Sequence, residues 1–218
     1  MSKALVLGGG GYDFLLEVVD EVVYDSYYRH GLYRDLASYD LIQFTGGSDV
    51  SPVLYNEVAL PTTHSHWERD ASEAAVYEKA RALGIPMVGV CRGLQFLHVM
   101  NGGTLYQHKE NHGTPHSIRA SNSPLKMMAD GRGTEPYDDR LLSVNSIHHQ
   151  LCRHNLDMVV LATSSVCSDP PFLEIEAAYY LKTRCFGVQF HPEFMHSEAP
   201  GLKWYIENVK ELLKEVKT

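Results

Sequence analysis

Residues Ile85 to Gly103, IPMVGVCRGLQFLHVMNGG, constrain the fold more than any other stretch. Ile85 to Val90 is a short apolar run and reads as a strand buried on both faces. It enters Gly89-Val90-Cys91-Arg92-Gly93 directly. Beyond it Leu94, Leu97 and Met100, with Phe96 alongside, recur at helical spacing, and Gly102-Gly103 ends the helix. Cys91 therefore falls on a sharp turn between a strand and a helix, the cysteine counterpart of the G-x-S-x-G elbow. Glycine is expected on both sides, because a side chain there would collide across so tight a turn. The sulfur is expected at the carboxyl edge of a sheet. It also lies at a helix N-terminus, whose partial positive charge favours thiolate over thiol.

A lone cysteine is more often a small buried hydrophobe than a nucleophile. A second motif, GVQFHPE at Gly187 to Glu193, strengthens the functional reading. His191 and Glu193 are two apart, so on an extended segment both point the same way. Pro192 between them stiffens the backbone. A histidine that takes the thiol proton and a carboxylate that orients it complete a Cys91-His191-Glu193 triad. Its members need only meet in the fold.

GVCRGLQ followed by GVQFHPE resembles the class I glutamine amidotransferase superfamily. TGGSDVSPVLY at Thr45 to Tyr55 and VNSIHHQ at Val144 to Gln150 narrow the likeness. With them the chain resembles the γ-glutamyl hydrolase branch, peptidase family C26, and most closely the γ-glutamyl-γ-aminobutyrate hydrolases. The resemblance implies an oxyanion hole made by the N–H groups of Gly47 and Arg92. It implies that Asn145, Ser146 and His148 or His149 help hold a γ-glutamyl group. Gln95, one helical turn past Cys91, is a further candidate for that contact. Asp49, Pro52 and Tyr55 match the branch's loop pattern. Relatives carry a longer first helix than this chain has room for between Phe14 and Val19.

At 218 residues the chain suits one domain with a full core, residues 1–218. A formal charge of −8 disfavours nucleic acid or an anionic membrane as partner. No apolar run reaches the roughly 18 residues of a spanning helix. MSKALVLGGGG has too short an apolar run for a secretory signal. The four cysteines (Cys91, Cys152, Cys167, Cys185) show no paired spacing, which fits a reducing cytoplasm.

In chain order, Ala4 to Leu7 reads as a buried strand and Gly8 to Gly11 as a loop near the active-site edge. A dinucleotide fingerprint would need a glycine where Asp13 stands. Phe14 to Val19 reads as a short helix, Glu21 to Tyr24 and Leu41 to Thr45 as strands. Tyr27, Tyr28, Tyr33 and Tyr39 read as half-buried surface tyrosines. Asp70 reads as a helix cap with Glu73 as its capping-box partner, and Gly84 ends that helix. Strand, helix and the Ile85 strand in succession mean parallel pairing. His108, His112 and His116 are spaced by four, but Gly113 and Pro115 break any helix there, so a cleft-bordering loop is favoured over a metal site. Ser121 to Arg140 reads as a long loop or lid. Leu142 to Ser146, Asp157 to Thr163, Leu173 to Tyr180 and Phe186 to Phe190 read as strands, with a hairpin turn at Thr183-Arg184. Glu198 to Val216 reads as an amphipathic helix.

The expected fold is α/β: a flavodoxin-like three-layer αβα sandwich with a mainly parallel sheet and the site at the strands' carboxyl ends. The resemblance implies an enzyme that cleaves the γ-glutamyl amide bond of a small-molecule γ-glutamyl amine or peptide through a glutamyl thioester, with no cofactor and no metal. The alternative is a glutaminase that supplies ammonia to a separate synthetase partner. A homodimer is compatible with either. A non-catalytic binding protein on this fold is disfavoured by the complete triad.

Overall fold

A computed structural model describes residues 1–25, 32–110, 113–121, 140–165 and 173–214, with the side chains of 32–34 excepted. Tyr27, Tyr28, the Tyr33 side chain, His112, Cys167 and most of the expected lid lie outside these residues. The strands are β1 (Lys3–Leu7), β2 (Glu21–Asp25), β3 (Leu41–Phe44), β4 (Met87–Val90), β5 (Leu105–Tyr106), β6 (His116–Ala120), β7 (Arg140–Val144), β8 (Leu151–Cys152), β9 (Val159–Ser164), β10 (Ile175–Tyr180) and β11 (Cys185–Val188). The α-helices are α1 (Trp67–Leu83), α2 (Arg92–Met100) and α3 (Pro200–Lys214). Asp13–Glu17, expected as a short helix, is a 3-10 turn.

Nine described strands form one sheet in the order β2-β1-β3-β4-β11-β10-β9-β6-β7. The first five are mutually parallel and follow the 2-1-3-4-5 order of flavodoxin-like sheets. From β11 outward, β10, β9, β6 and β7 extend it antiparallel. This second half carries the β10–β11 hairpin, whose turn residue Arg184 has φ 53°.

The parallel strands are short and apolar because both faces are covered. On one face Leu5, Ile42, Phe44 and Met87 meet Val76, Tyr77 and Ala80 of α1 and Leu94 and Leu97 of α2. On the other, Val6, Val88 and Phe186 meet Trp204, Tyr205, Val209 and Leu212 of α3. Each such side chain taken from water contributes about 1.5–3 kcal/mol before chain entropy is subtracted. Tyr39 belongs to the α1 side of this core, which corrects the expectation of a half-buried surface tyrosine.

The helix after the third parallel strand begins differently from expectation. It starts at Trp67, and the His66 imidazole caps it by accepting from the Arg69 N–H at 3.4 Å. Asp70 and Glu73 are not a capping box; both are fully buried and face Arg92. An acid three residues before another fits a cap, but the same spacing puts both acids on one helical face, and a buried guanidinium takes them there. The Gly84 stop is as expected, with φ 69°.

Candidate active site

Three neighbouring parallel strands end together. Phe44 lies opposite Gly89, and Val90 opposite Val188. The residues that follow them, Gly46-Gly47, Cys91 and Gln189 to His191, are thereby delivered to one edge of the sheet. The Cys91 N–H donates to the Val188 carbonyl at 2.8 Å, fastening the turn to β11.

Cys91 adopts φ 51°, ψ −109°, a conformation L-residues rarely hold. The flanking glycines are steric requirements. A Cβ on Gly89 would stand 2.4 Å from the Gly93 carbonyl carbon, and one on Gly93 would stand 2.2 Å from the Phe44 carbonyl oxygen.

His191 and Glu193 do meet, though not on an extended segment: Pro192–Phe194 is a 3-10 turn. The His191 Nδ1–H donates to Glu193 Oε1 at 2.7 Å. The same oxygen accepts from the Tyr12 hydroxyl at 3.2 Å. Burial pushes the Tyr12 phenol up, with the Glu193 charge adding to it, so Tyr12 stays a donor. The Phe194 ring stacks on His191 with centroids 5.3 Å apart. His191 Nε2 has no hydrogen-bond partner among the described residues. The Cys91 sulfur nevertheless acts on this imidazole.

Burial pulls the His191 imidazolium down, but Cys91 and Glu193 together outweigh it and raise it from 6.5 to about 10. A folded-state value above the unfolded one adds stability that is whole below pH 6.5 and disappears as pH rises through about 10. The stability difference between wild type and His191→Gln in denaturant melts is expected to shrink across that window. A difference that stays flat through it would contradict this electrostatic picture.

Two cavities meet at Cys91. One, of about 370 Å³, is bordered by Gly9, Gly10, Tyr12, His191 and Phe194. The other, of about 230 Å³, is bordered by Asp49, Gln95, His148, His149 and Gln150. Gly47 and Ile147 border both. The glycine-rich loop after β1 thus sits at the site's edge, with Tyr12 just beyond it.

The other expected residues divide. Gln95 lines the smaller cavity, and its amide donates to the Gln150 carbonyl at 3.0 Å and to Gln189 Oε1 at 3.2 Å. His149 lines it too, with Nε2 3.1 Å from Asp49 Oδ1 and Nδ1 3.3 Å from His108 Nδ1. His148 is buried, with Nδ1 3.2 Å from the Gln150 carbonyl and Nε2 3.9 Å from Glu176. Asn145 engages the backbone of His191. Its amide donates to the His191 carbonyl and its Oδ1 accepts the His191 N–H, both at 2.8 Å, so it fastens His191. Ser146 is buried and borders neither cavity.

Arg69-Asp70 matches the branch's pattern at the start of α1, yet neither it nor the groups around it were expected at the site. Arg69 donates from Nη1 to the Gly46 carbonyl at 3.0 Å and from Nη2 to the Thr45 carbonyl at 2.9 Å. Its Nε donates to Glu73 at 2.8 Å, and Glu73 and Asp70 together pair the buried Arg92 guanidinium. Glu176 is fully buried and accepts from His116 Nε2 at 3.1 Å. A lone acid inside the apolar run of β10 was its only signal. Among the described residues no group of three His, Cys, Asp or Glu is arranged to hold a metal. Cys152 and Cys185 are free and buried, and burial pushes both thiols up, away from nucleophilic use. Among the described residues no helix is long and apolar enough to cross a membrane.

A family model described as Peptidase C26 matches residues 29–193. Protein NtpR of Enterococcus hirae is 32% identical over 167 residues, covering 72% of this chain and 68% of that protein. One component of the glutamine-hydrolyzing GMP synthase of Methanoregula boonei is 28% identical over 128 residues, covering 59% of this chain and 62% of that one. The crystal structure of a glutamine amidotransferase from Thermotoga maritima superposes with a TM-score of 0.65 at 20% identity, covering 99% of this chain and 85% of that one.

Proposed function

The chain belongs to the peptidase C26 family of glutamine amidotransferase-like hydrolases, and from that membership we propose that it cleaves γ-glutamyl amides with Cys91 as nucleophile. The observation that carries this reading is the convergence, at one sheet edge, of a strained Cys91, the Gly46-Gly47 turn and the His191–Glu193 pair.

In this mechanism the Cys91 thiolate attacks the γ-carbonyl carbon, and the Gly47 and Arg92 N–H groups bind the resulting oxyanion. His191 enters the reaction protonated, held so by the sulfur and Glu193. Attack consumes the thiolate charge and with it part of what holds that proton. The imidazolium then protonates the leaving nitrogen as the C–N bond breaks. Neutral His191 next takes a proton from water, hydroxide adds to the glutamyl thioester, and glutamate leaves as the bond between its carbonyl carbon and Cys91 Sγ breaks, restoring the thiolate. Glu193, fixed by Tyr12, orients the imidazole throughout. The smaller cavity suits the glutamyl part and the larger one the leaving amine, because the latter is bordered by His191.

The second reading is a glutaminase that passes ammonia to a synthetase. One relative is named as a component of a glutamine-hydrolyzing GMP synthase, which supports it. The branch-like stretches Thr45 to Tyr55 and Val144 to Gln150, whose Asp49, His148, His149 and Gln150 border the smaller cavity, support the hydrolase. Purified protein assayed alone on glutamine and on a panel of γ-glutamyl amines separates them. Turnover of the panel without a partner is expected. Silence on every substrate until a ligase is added would favour the second reading.

A further inference from the structure

We propose that Arg69 is the positioning residue of the oxyanion hole, holding the Gly46 carbonyl so that the Gly47 N–H faces Cys91. The inference rests on the hydrolase reading above. A trans peptide is planar, and its C=O and N–H point in opposite directions. Arg69 Nη1 takes the Gly46 oxygen at 3.0 Å, so the Gly47 N–H of the same peptide is turned away from α1. The reactive groups stand beside this peptide: a Cβ on Gly46 would lie 3.0 Å from His191 Cε1 and 3.8 Å from Cys91 Cβ.

The same guanidinium takes the preceding carbonyl, that of Thr45, at 2.9 Å. Two successive carbonyls turned to one side cannot belong to a regular strand, where they alternate, so the chain bends here. Gly47 has φ 138°, and a Cβ on it would stand 2.3 Å from Arg69 Nη1. Glycine at that position therefore admits the guanidinium as well as the bend. Arg69 is itself fixed by Glu73, which also pairs the side chain of Arg92. The two oxyanion donors are thus tied to one carboxylate on α1. With the guanidinium gone, the Gly46-Gly47 peptide is free to turn over, and its carbonyl would then oppose the developing negative charge. Lysine offers no fork to hold two carbonyls at once.

The test compares wild type with Arg69→Lys and Arg69→Ala, using γ-glutamyl-p-nitroanilide and glutamine. Both variants are expected to lose about 100-fold in kcat, the cost of one missing oxyanion donor. KM is expected to move by less than about three-fold, since the donor acts on the transition state. Alkylation of Cys91 by iodoacetamide needs the thiolate and no oxyanion hole, so its rate should stay within about two-fold of wild type. Guanidinium chloride should restore part of the activity of R69A and none of that of R69K. Undiminished kcat in R69K, or alkylation falling in step with hydrolysis, would overturn the inference. A wild type inert on both substrates would instead remove the hydrolase reading, and this inference with it.

Discussion

Cys91→Ala is expected to lower hydrolysis by about 10⁴-fold or more, to the level that binding and oxyanion contacts alone can give. The fold should survive. Cys91 is only 6% exposed, and alanine removes a single heavy atom from the side that faces the two cavities. Alanine keeps the strained backbone of the turn, whereas Cys91→Gly relieves it. The glycine variant should therefore be equally inactive yet more stable than the alanine variant, by about 1 kcal/mol once glycine's extra chain entropy is counted. Steady-state assays and denaturant melts of the two variants read both effects. Residual hydrolysis near wild type in C91A would refute the nucleophile assignment.

Arg92→Met should carry the largest stability cost, about 3–5 kcal/mol, as expected when one partner of a buried ionic network is removed. The guanidinium is 1% exposed, and its partners Asp70 and Glu73 are fully buried. Glu73 keeps Arg69, while among the described residues Asp70 is left with the Ser51 N–H at 2.9 Å to offset its charge. Against a total of about 5–15 kcal/mol for a domain, such a loss approaches unfolding. Neutralising the acids in the same chain, with Asp70→Asn and Glu73→Gln, should recover much of it. Urea melts would show a lowered midpoint at unchanged slope. A loss under about 1 kcal/mol would mean that water reaches the cluster.

Much of this was legible in the sequence where local chemistry dictated geometry. The elbow was, because Gly89 and Gly93 can be nothing larger between a strand and a helix. The parallel strands were, because coverage on both faces leaves a run with no polar alternation. The His191–Glu193 contact was expected from the wrong backbone: the spacing suits an extended segment, but Pro192 begins a 3-10 turn that brings the side chains together equally well. The role of Asp70 and Glu73 was hidden because their partner, Arg92, lies on another helix. The bond from Asn145 to the His191 backbone was hidden for a related reason: its partner lies just beyond β11, and a motif cannot say whether an amide serves the ligand, the scaffold or both. Tyr12 left no trace, since one tyrosine after a glycine loop is indistinguishable from the many others in the chain.

The strand that delivers His191 is the fifth of the nine in its sheet, paired on both sides and covered by α3. It is also the seam at which the two halves of the sheet join. Its amides should consequently be among the slowest to exchange with deuterium, opening only when the whole molecule does. The outermost strands, β2 and β7, should fray first. Warming would then loosen the periphery of the site well before it separated imidazole from sulfur, so that discrimination between substrates fails at a lower temperature than bond cleavage itself.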